Sequence, residues 1–135
     1  MPEISFNVPG IPIPKARPRF TRYGHCFTPA KTENYEAQLK YCFLKAIGRI
    51  WKPLDCPVSL SIIASFIMPK SAPKADRIAR QRPKVTKPDL DNVIKSVCDG
   101  LNGLAWIDDS QIWQILSASK IETIGMPGLS ITIKY

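Results

Sequence analysis

Five of the eleven carboxylates of this chain fall between Thr86 and Gln111, although the protein as a whole carries a net charge of +8. Asp89 and Asp91 lie two apart, so their side chains point the same way only on extended backbone; inside a helix they would diverge by about 200°. Pro88 suits an extended entry to a helix, because it biases Lys87 away from the helical region. From Leu90 the pattern turns helical: Leu90, Ile94, Val97 and Leu101 make an apolar stripe, while Asp91, Lys95 and Asp99 fall on another face at i+4 steps. Asn102-Gly103 supplies the stop. Asp108 and Asp109 close the following loop, just before a run from Gln111 to Ile121 that reads as a strand. The expected geometry is two carboxylates at a helix entrance, a lysine one turn inside, and two more carboxylates at the mouth of the next strand. Three or four hard oxygen donors with no thiolate or imidazole suit Mg²⁺ or Mn²⁺ and not Zn²⁺. Without a cation such a group repels itself and raises its own pKa values. Singly, each acid has an ordinary reading. Asp89 caps a helix, Lys95 pairs with Asp91 or Asp99, and Asp108-Asp109 make a turn. Jointly, five acids in one short segment of a basic protein favour the metal.

The run Asp89-Leu-Asp-Asn-x-x-Lys95-x-x-x-Asp99-x-Leu101, followed by Trp106-x-Asp-Asp-x-Gln111, resembles the RusA family of Holliday-junction resolvases, small homodimeric endodeoxyribonucleases common in prophages. Two separated motifs agree in order and spacing, and Pro14-Lys-Ala-Arg-Pro-Arg-Phe is similar to one branch of that family. The resemblance implies that Asp89, Asp91 and Asp109 bind the metal, that Lys95 is the essential lysine, and that Asp108 stands behind them. It implies Mg²⁺, with Mn²⁺ as a substitute, and paired symmetric nicks in a four-way DNA junction during recombination and repair. It also implies a homodimer.

Composition bounds the alternatives. A chain of 135 residues with 44% apolar and 22% charged residues has the size and makeup of one folded domain, taken here as 1–135, and not of a disordered basic tail. No segment approaches the ~20 apolar residues of a membrane span, and the start lacks a basic-then-apolar leader, so a cytoplasmic location and no membrane partner are expected. Cysteines at 26, 42, 56 and 98 show no metal-binding spacing and read as small apolar fillers in a reducing compartment. The single histidine, His25, adjoins Cys26 in a loop, where a nucleophile pair cannot readily converge.

The cations lie in two zones flanking the acids, nine in 1–52 and seven in 70–87, with three after that. This is the footprint of a polyanion, and with no basic amphipathic helix it favours nucleic acid over a membrane surface. Lys15, Arg17, Arg19 and Arg22, interleaved with Phe20, Tyr23 and Phe27, make one expected DNA contact; Lys74, Arg77, Arg80, Arg82, Lys84 and Lys87, in a basic Pro-rich loop, make the other. Two rivals use the same residues. A non-catalytic, structure-specific DNA-binding protein would treat the acids as caps and turns, and a transferase could use Asp-x-Asp with Mn²⁺. The chain has no Gly-rich phosphate loop and no sign of a small-molecule cofactor.

Alternation over 3–9 predicts a first strand, and helical spacing over 31–50 a first helix capped by Thr28 or Thr32. Val58–Met68, nearly all apolar, predicts a central strand covered on both faces. A short helix fits within 74–82. The runs 111–121 and 129–135, around Gly125-Met-Pro-Gly, predict a closing hairpin. The fold class is α/β (α+β): a single layer, with a mixed or antiparallel sheet of about four strands carrying two helices in the order β-α-β-α-β-β.

Overall fold

A computed structural model describes residues 2–15, 19–27 and 30–135. The elements are β1 (Glu3–Pro9), β2 (Arg19–Phe20), β3 (Cys26–Phe27), α1 (Ala30–Ile47), β4 (Val58–Ile67), α2 (Lys74–Ala79), β5 (Gln81–Pro83), α3 (Leu90–Leu101), a 3₁₀ turn (Asp109–Gln111), β6 (Ile112–Thr123) and β7 (Gly128–Lys134). One mixed sheet has the order β1-β7-β4-β6-β5, in which only β4 and β6 run parallel; β2 and β3 form a separate small hairpin. The α+β class holds, with five strands in the main sheet and three α-helices among the described residues in place of four and two. Both further elements lie in the basic Pro-rich segment: α2 is the short helix that fits within 74–82, and β5, which ends on Pro83, is the unexpected strand.

The expected closing hairpin does not form. β6 and β7 lie on opposite edges of β4, and residues 124–127 pass over its C-terminal end. The physical reason is burial. Leu60, Ile62, Ala64 and Phe66 of β4 all lie in the core, so this strand takes the centre and has both edges paired. Its coverage is one-sided, however. Ile63 and Ile67 on its other face are exposed, because the long helices α1 and α3 pack on the first face, among the described residues.

Helix α1 buries Tyr35, Leu39 and Phe43, and α3 buries Val93, Val97 and Leu101, each at i+4 steps. A fully buried side chain of this kind stabilises by about 1.5–3 kcal/mol. Gly100 lets the two helices approach: a Cβ there would stand 2.6 Å from Leu39 Cδ1. Gly103, at φ +79°, reverses the chain beyond α3, as the Asn102-Gly103 stop requires. Thr28, one candidate cap of α1, lies outside the described residues; Thr32, the other, is buried within the helix. Of the four cysteines, all free thiols, Cys26 is exposed and is no core filler.

Candidate active site

The segment that leads from β5 into the N-terminal end of α3 is held by side chains of β6. Glu122 is buried on the helix side of the sheet, where its Oε1 accepts from Arg82 Nε at 2.8 Å and its Oε2 faces Lys84 Nζ at 3.5 Å. Arg82 also reaches Asp76 of α2 at 3.0 Å. Further on, Lys84 Nζ donates to Thr86 Oγ1 at 2.9 Å, and Lys120 Nζ donates to both the Thr86 and the Pro88 carbonyls at 2.7 Å. The Lys87–Pro88 peptide is cis. Asp89 follows as the N-cap residue of α3 in extended conformation (φ −69°, ψ 146°) and its side chain makes no capping hydrogen bond; Leu90 and Asp91 are already helical, so the extended backbone expected across the Asp-x-Asp pair ends at Asp89. Asp91 and Lys95 are exposed. Among the described residues, none of these three side chains has an ion-pair or hydrogen-bond partner.

The C-terminal end of α3 is organised differently. Trp106 is fully buried, and its Nε1 donates to Asp109 Oδ1 at 2.9 Å. Gln111 accepts from the Asp108 N–H at 2.8 Å and donates to the Leu54 and Cys56 carbonyls at 2.7 and 3.0 Å, which pins the loop to the segment before β4. Asp108 caps the 3₁₀ turn by accepting from Ser110 N; the Ser110 hydroxyl first, and then this N–H, hold its carboxyl below the usual range. The neighbouring Asp109 is shifted oppositely. Burial raises its pKa, and repulsion from Asp99 and Asp108 adds to the rise against the Trp106 hydrogen bond. The same surroundings push the Cys98 thiol up to about 12, by burial first and then by Asp109 and Asp99, so it is no nucleophile.

Lys15 links the two ends. Its N–H donates to the Asn92 carbonyl, and its Nζ lies 2.7 Å from Glu36 and 3.4 Å from Asp99. Burial opposes its charge, but the Glu36 and Asp99 carboxylates outweigh that and raise its pKa. Pro14, Lys15, Lys87, Pro88, Asp89 and Asn92 line an open depression of about 370 Å³ beside the start of α3. Of the other expected DNA contacts, Arg22 is exposed on the β2–β3 hairpin, and Lys74, Arg77, Arg80 and Lys87 are exposed along the arm from α2 to Asp89. Arg82 and Lys84 are committed to Glu122. Arg17 lies outside the described residues, as does the Arg19 side chain.

The donors fit a hard divalent cation by type: all are carboxylate oxygens, Asp89 and Asp91 have no hydrogen-bond or ion-pair partner among the described residues, and Asp109 carries a repulsion that a cation would relieve. Among the described residues, no three acidic, cysteine or histidine side chains are drawn together into a ready cluster. Sequence reasoning missed Lys120, Trp106 and Gln111 as the residues that place the acids. The last two were visible as the flanks of the acid pair in its motif, and Lys120 as the cation that ends an uncharged run from Ser110 to Ser119.

A family model described as "Endodeoxyribonuclease RusA" matches residues 9–134, nearly the whole chain. A protein of Bacillus subtilis (strain 168), described as "Uncharacterized protein YqaN", is 32% identical over 120 residues, covering 81% of each chain.

Proposed function

This chain belongs to the RusA endodeoxyribonuclease family, and from that premise we propose that it resolves four-way DNA junctions by paired symmetric nicks, as a Mg²⁺-dependent enzyme that also accepts Mn²⁺, serving recombination and repair in a prophage setting. The observation that carries the reading is the pair Asp89 and Asp91, uncommitted at the mouth of α3, with Asp89 on the wall of a depression that Lys15 and Lys87 also line.

Asp89, Asp91 and Asp109 are the residues that would hold the cation, whose charge offsets that of the phosphate and whose Lewis acidity activates water. Lys95, one turn into α3 and unpaired among the described residues, offsets charge that develops on the phosphate oxygens as the bond breaks. The positive end of the α3 dipole acts in the same sense. Lys74, Arg77, Arg80 and Lys87, with Arg22 on the hairpin, grip the flanking backbone, while Arg82 and Lys84 hold the arm in place. Binding then weakens with salt by a slope of roughly −0.9 per phosphate neutralised.

Two symmetric nicks call for two sites related by a two-fold axis. A homodimer is supported by the outer edge of β6. There β5 pairs only with Ile121–Thr123, and the preceding stretch presents Trp113, Ile115 and Leu116 at 66, 38 and 45% exposure with no charge between Asp109 and Lys120. An apolar open edge of that kind is a site for strand pairing.

The test is incubation of the protein with a synthetic four-way junction and with linear duplex of the same sequence, with and without Mg²⁺. Symmetric metal-dependent nicks confined to the junction are expected. Salt-sensitive binding with no product in Mg²⁺ or Mn²⁺ would replace this reading with that of a non-catalytic junction-binding protein.

A further inference from the structure

Lys84 still joins β6 through the Lys120 carbonyl, and the Asp89 carbonyl already belongs to α3. Between them, residues 85–88 make no main-chain hydrogen bond to any described residue. A segment without a ladder would leave the direction of the Asp89 side chain unfixed. Lys120 supplies the missing tie. In the parallel ladder it stands beside Ala64, on the inward face that elsewhere carries Leu60 and Ile62, where a cation is unfavourable unless its donors are satisfied. Two of its three ammonium N–H groups are satisfied by the Thr86 and Pro88 carbonyls, both at 2.7 Å, and these carbonyls bracket the peptide that delivers Asp89.

We propose that Lys120 is a positioning residue for the metal-binding end of the site: by gripping the Thr86 and Pro88 carbonyls it fixes where the Asp89 carboxylate stands. The inference rests on the metal reading of Asp89, Asp91 and Asp109 given above. Groups that orient metal ligands without touching the metal are worth about 10–100-fold in affinity when removed. A displacement of about 1 Å at a reacting centre costs on the order of 100-fold in rate. Both effects act on metal loading and turnover and leave the grip on DNA alone, since the Lys120 ammonium is committed to carbonyls and not offered to phosphate.

The experiment compares wild type with Lys120→Met, which keeps the length and loses the donors, and with Lys120→Arg, which keeps donors. Mn²⁺ binding is measured by calorimetry on the DNA-free protein, the half-saturating Mn²⁺ by junction cleavage, and junction affinity without divalent metal by gel shift. Lys120→Met is expected to raise both Mn²⁺ constants about tenfold or more and to change metal-free junction binding by less than about twofold, with Lys120→Arg closer to wild type. Should Lys120→Met yield no folded protein, Lys120→Gln, which keeps an amide donor, is read by the same criteria. Wild-type Mn²⁺ affinity in the Met variant would overturn the proposal. So would a parallel loss of melting temperature, metal affinity and junction binding, which marks general structural support. Wild-type protein that binds Mn²⁺ yet cuts no junction would remove the proposed function and leave Lys120 to be judged by calorimetry alone; wild-type protein that binds no Mn²⁺ removes both.

Discussion

The two ends of α3 hold their carboxylates by opposite means. At the N-terminal end, Asp89 and Asp91 have no side-chain partner among the described residues; Asp89 is placed by its backbone, through the Lys120 grip on the preceding carbonyls, and Asp91 by the first turn of the helix. At the C-terminal end, Asp109 is placed by its own side chain, hydrogen-bonded to a buried indole and crowded by Asp99 and Asp108. The first arrangement leaves all carboxylate lone pairs open to a ligand and depends on a distant clamp. The second fixes one oxygen and stores electrostatic repulsion. Substitutions at the first end should therefore change chemistry with little change in stability, and those at the second should change both.

The largest effect is expected at the open end. Asp91→Asn removes a proposed metal ligand whose side chain has no hydrogen-bond or ion-pair partner among the described residues, so junction cleavage should fall by about 10³-fold or more, equivalent to roughly 4 kcal/mol in the barrier. Melting temperature and metal-free junction binding should stay near wild type. An Asn variant that nicked junctions at the wild-type rate in Mg²⁺ would dissolve the site. At the crowded end, Trp106→Phe should change both properties at once. It removes the Asp109 hydrogen bond and leaves a void in a fully buried position, at a cost of roughly 1–3 kcal/mol and several degrees in melting temperature. Cleavage should fall by about 10–100-fold as Asp109 loses its orientation. A Phe variant that lost stability alone would show that the indole is only a core residue.

The same contrast explains what could be read from the sequence. The course of α3, the extended Asp89 and the stop at Asn102-Gly103 follow from local rules of spacing and backbone preference, and the structure agrees with each. Pairing across the sheet does not follow from local rules. β6 and β7 look like a hairpin because a turn separates two strand-like runs, but the burial of Leu60, Ile62, Ala64 and Phe66 makes β4 the strand that must lie between them. The roles of cations were hidden for a similar reason. Arg82 and Lys84 belong to the basic run by sequence, yet the buried Glu122, some forty positions on, takes both. Lys15, the first cation of the N-terminal loop, is taken by Glu36 and Asp99. A charge run shows that a polyanion is welcome; which cations remain for it is decided by partners that only the fold brings close.

The smallest effect tests the stored repulsion directly. Asp109→Asn keeps an oxygen to accept from Trp106 and removes a charge disfavoured by burial and by Asp99. Because the Asp109 pKa is raised in the folded protein, its ionisation costs stability: nothing below the unfolded carboxyl value, where both states are protonated, and the full amount once the pH has risen through the folded value. The metal-free Asn variant should therefore match wild type in strong acid and exceed it at neutral pH, by an amount on the order of 0.5 kcal/mol, since the group is partly solvated. Saturating Mn²⁺ should reverse that order, because only wild type retains the full carboxylate set and gains stability by binding. Melting curves of the two proteins at pH 7, with and without Mn²⁺, give both signs in one experiment. If wild type stayed the less stable protein with Mn²⁺ present, Asp109 would be a crowded structural acid, and the cation would have to be held from the open end of α3 alone.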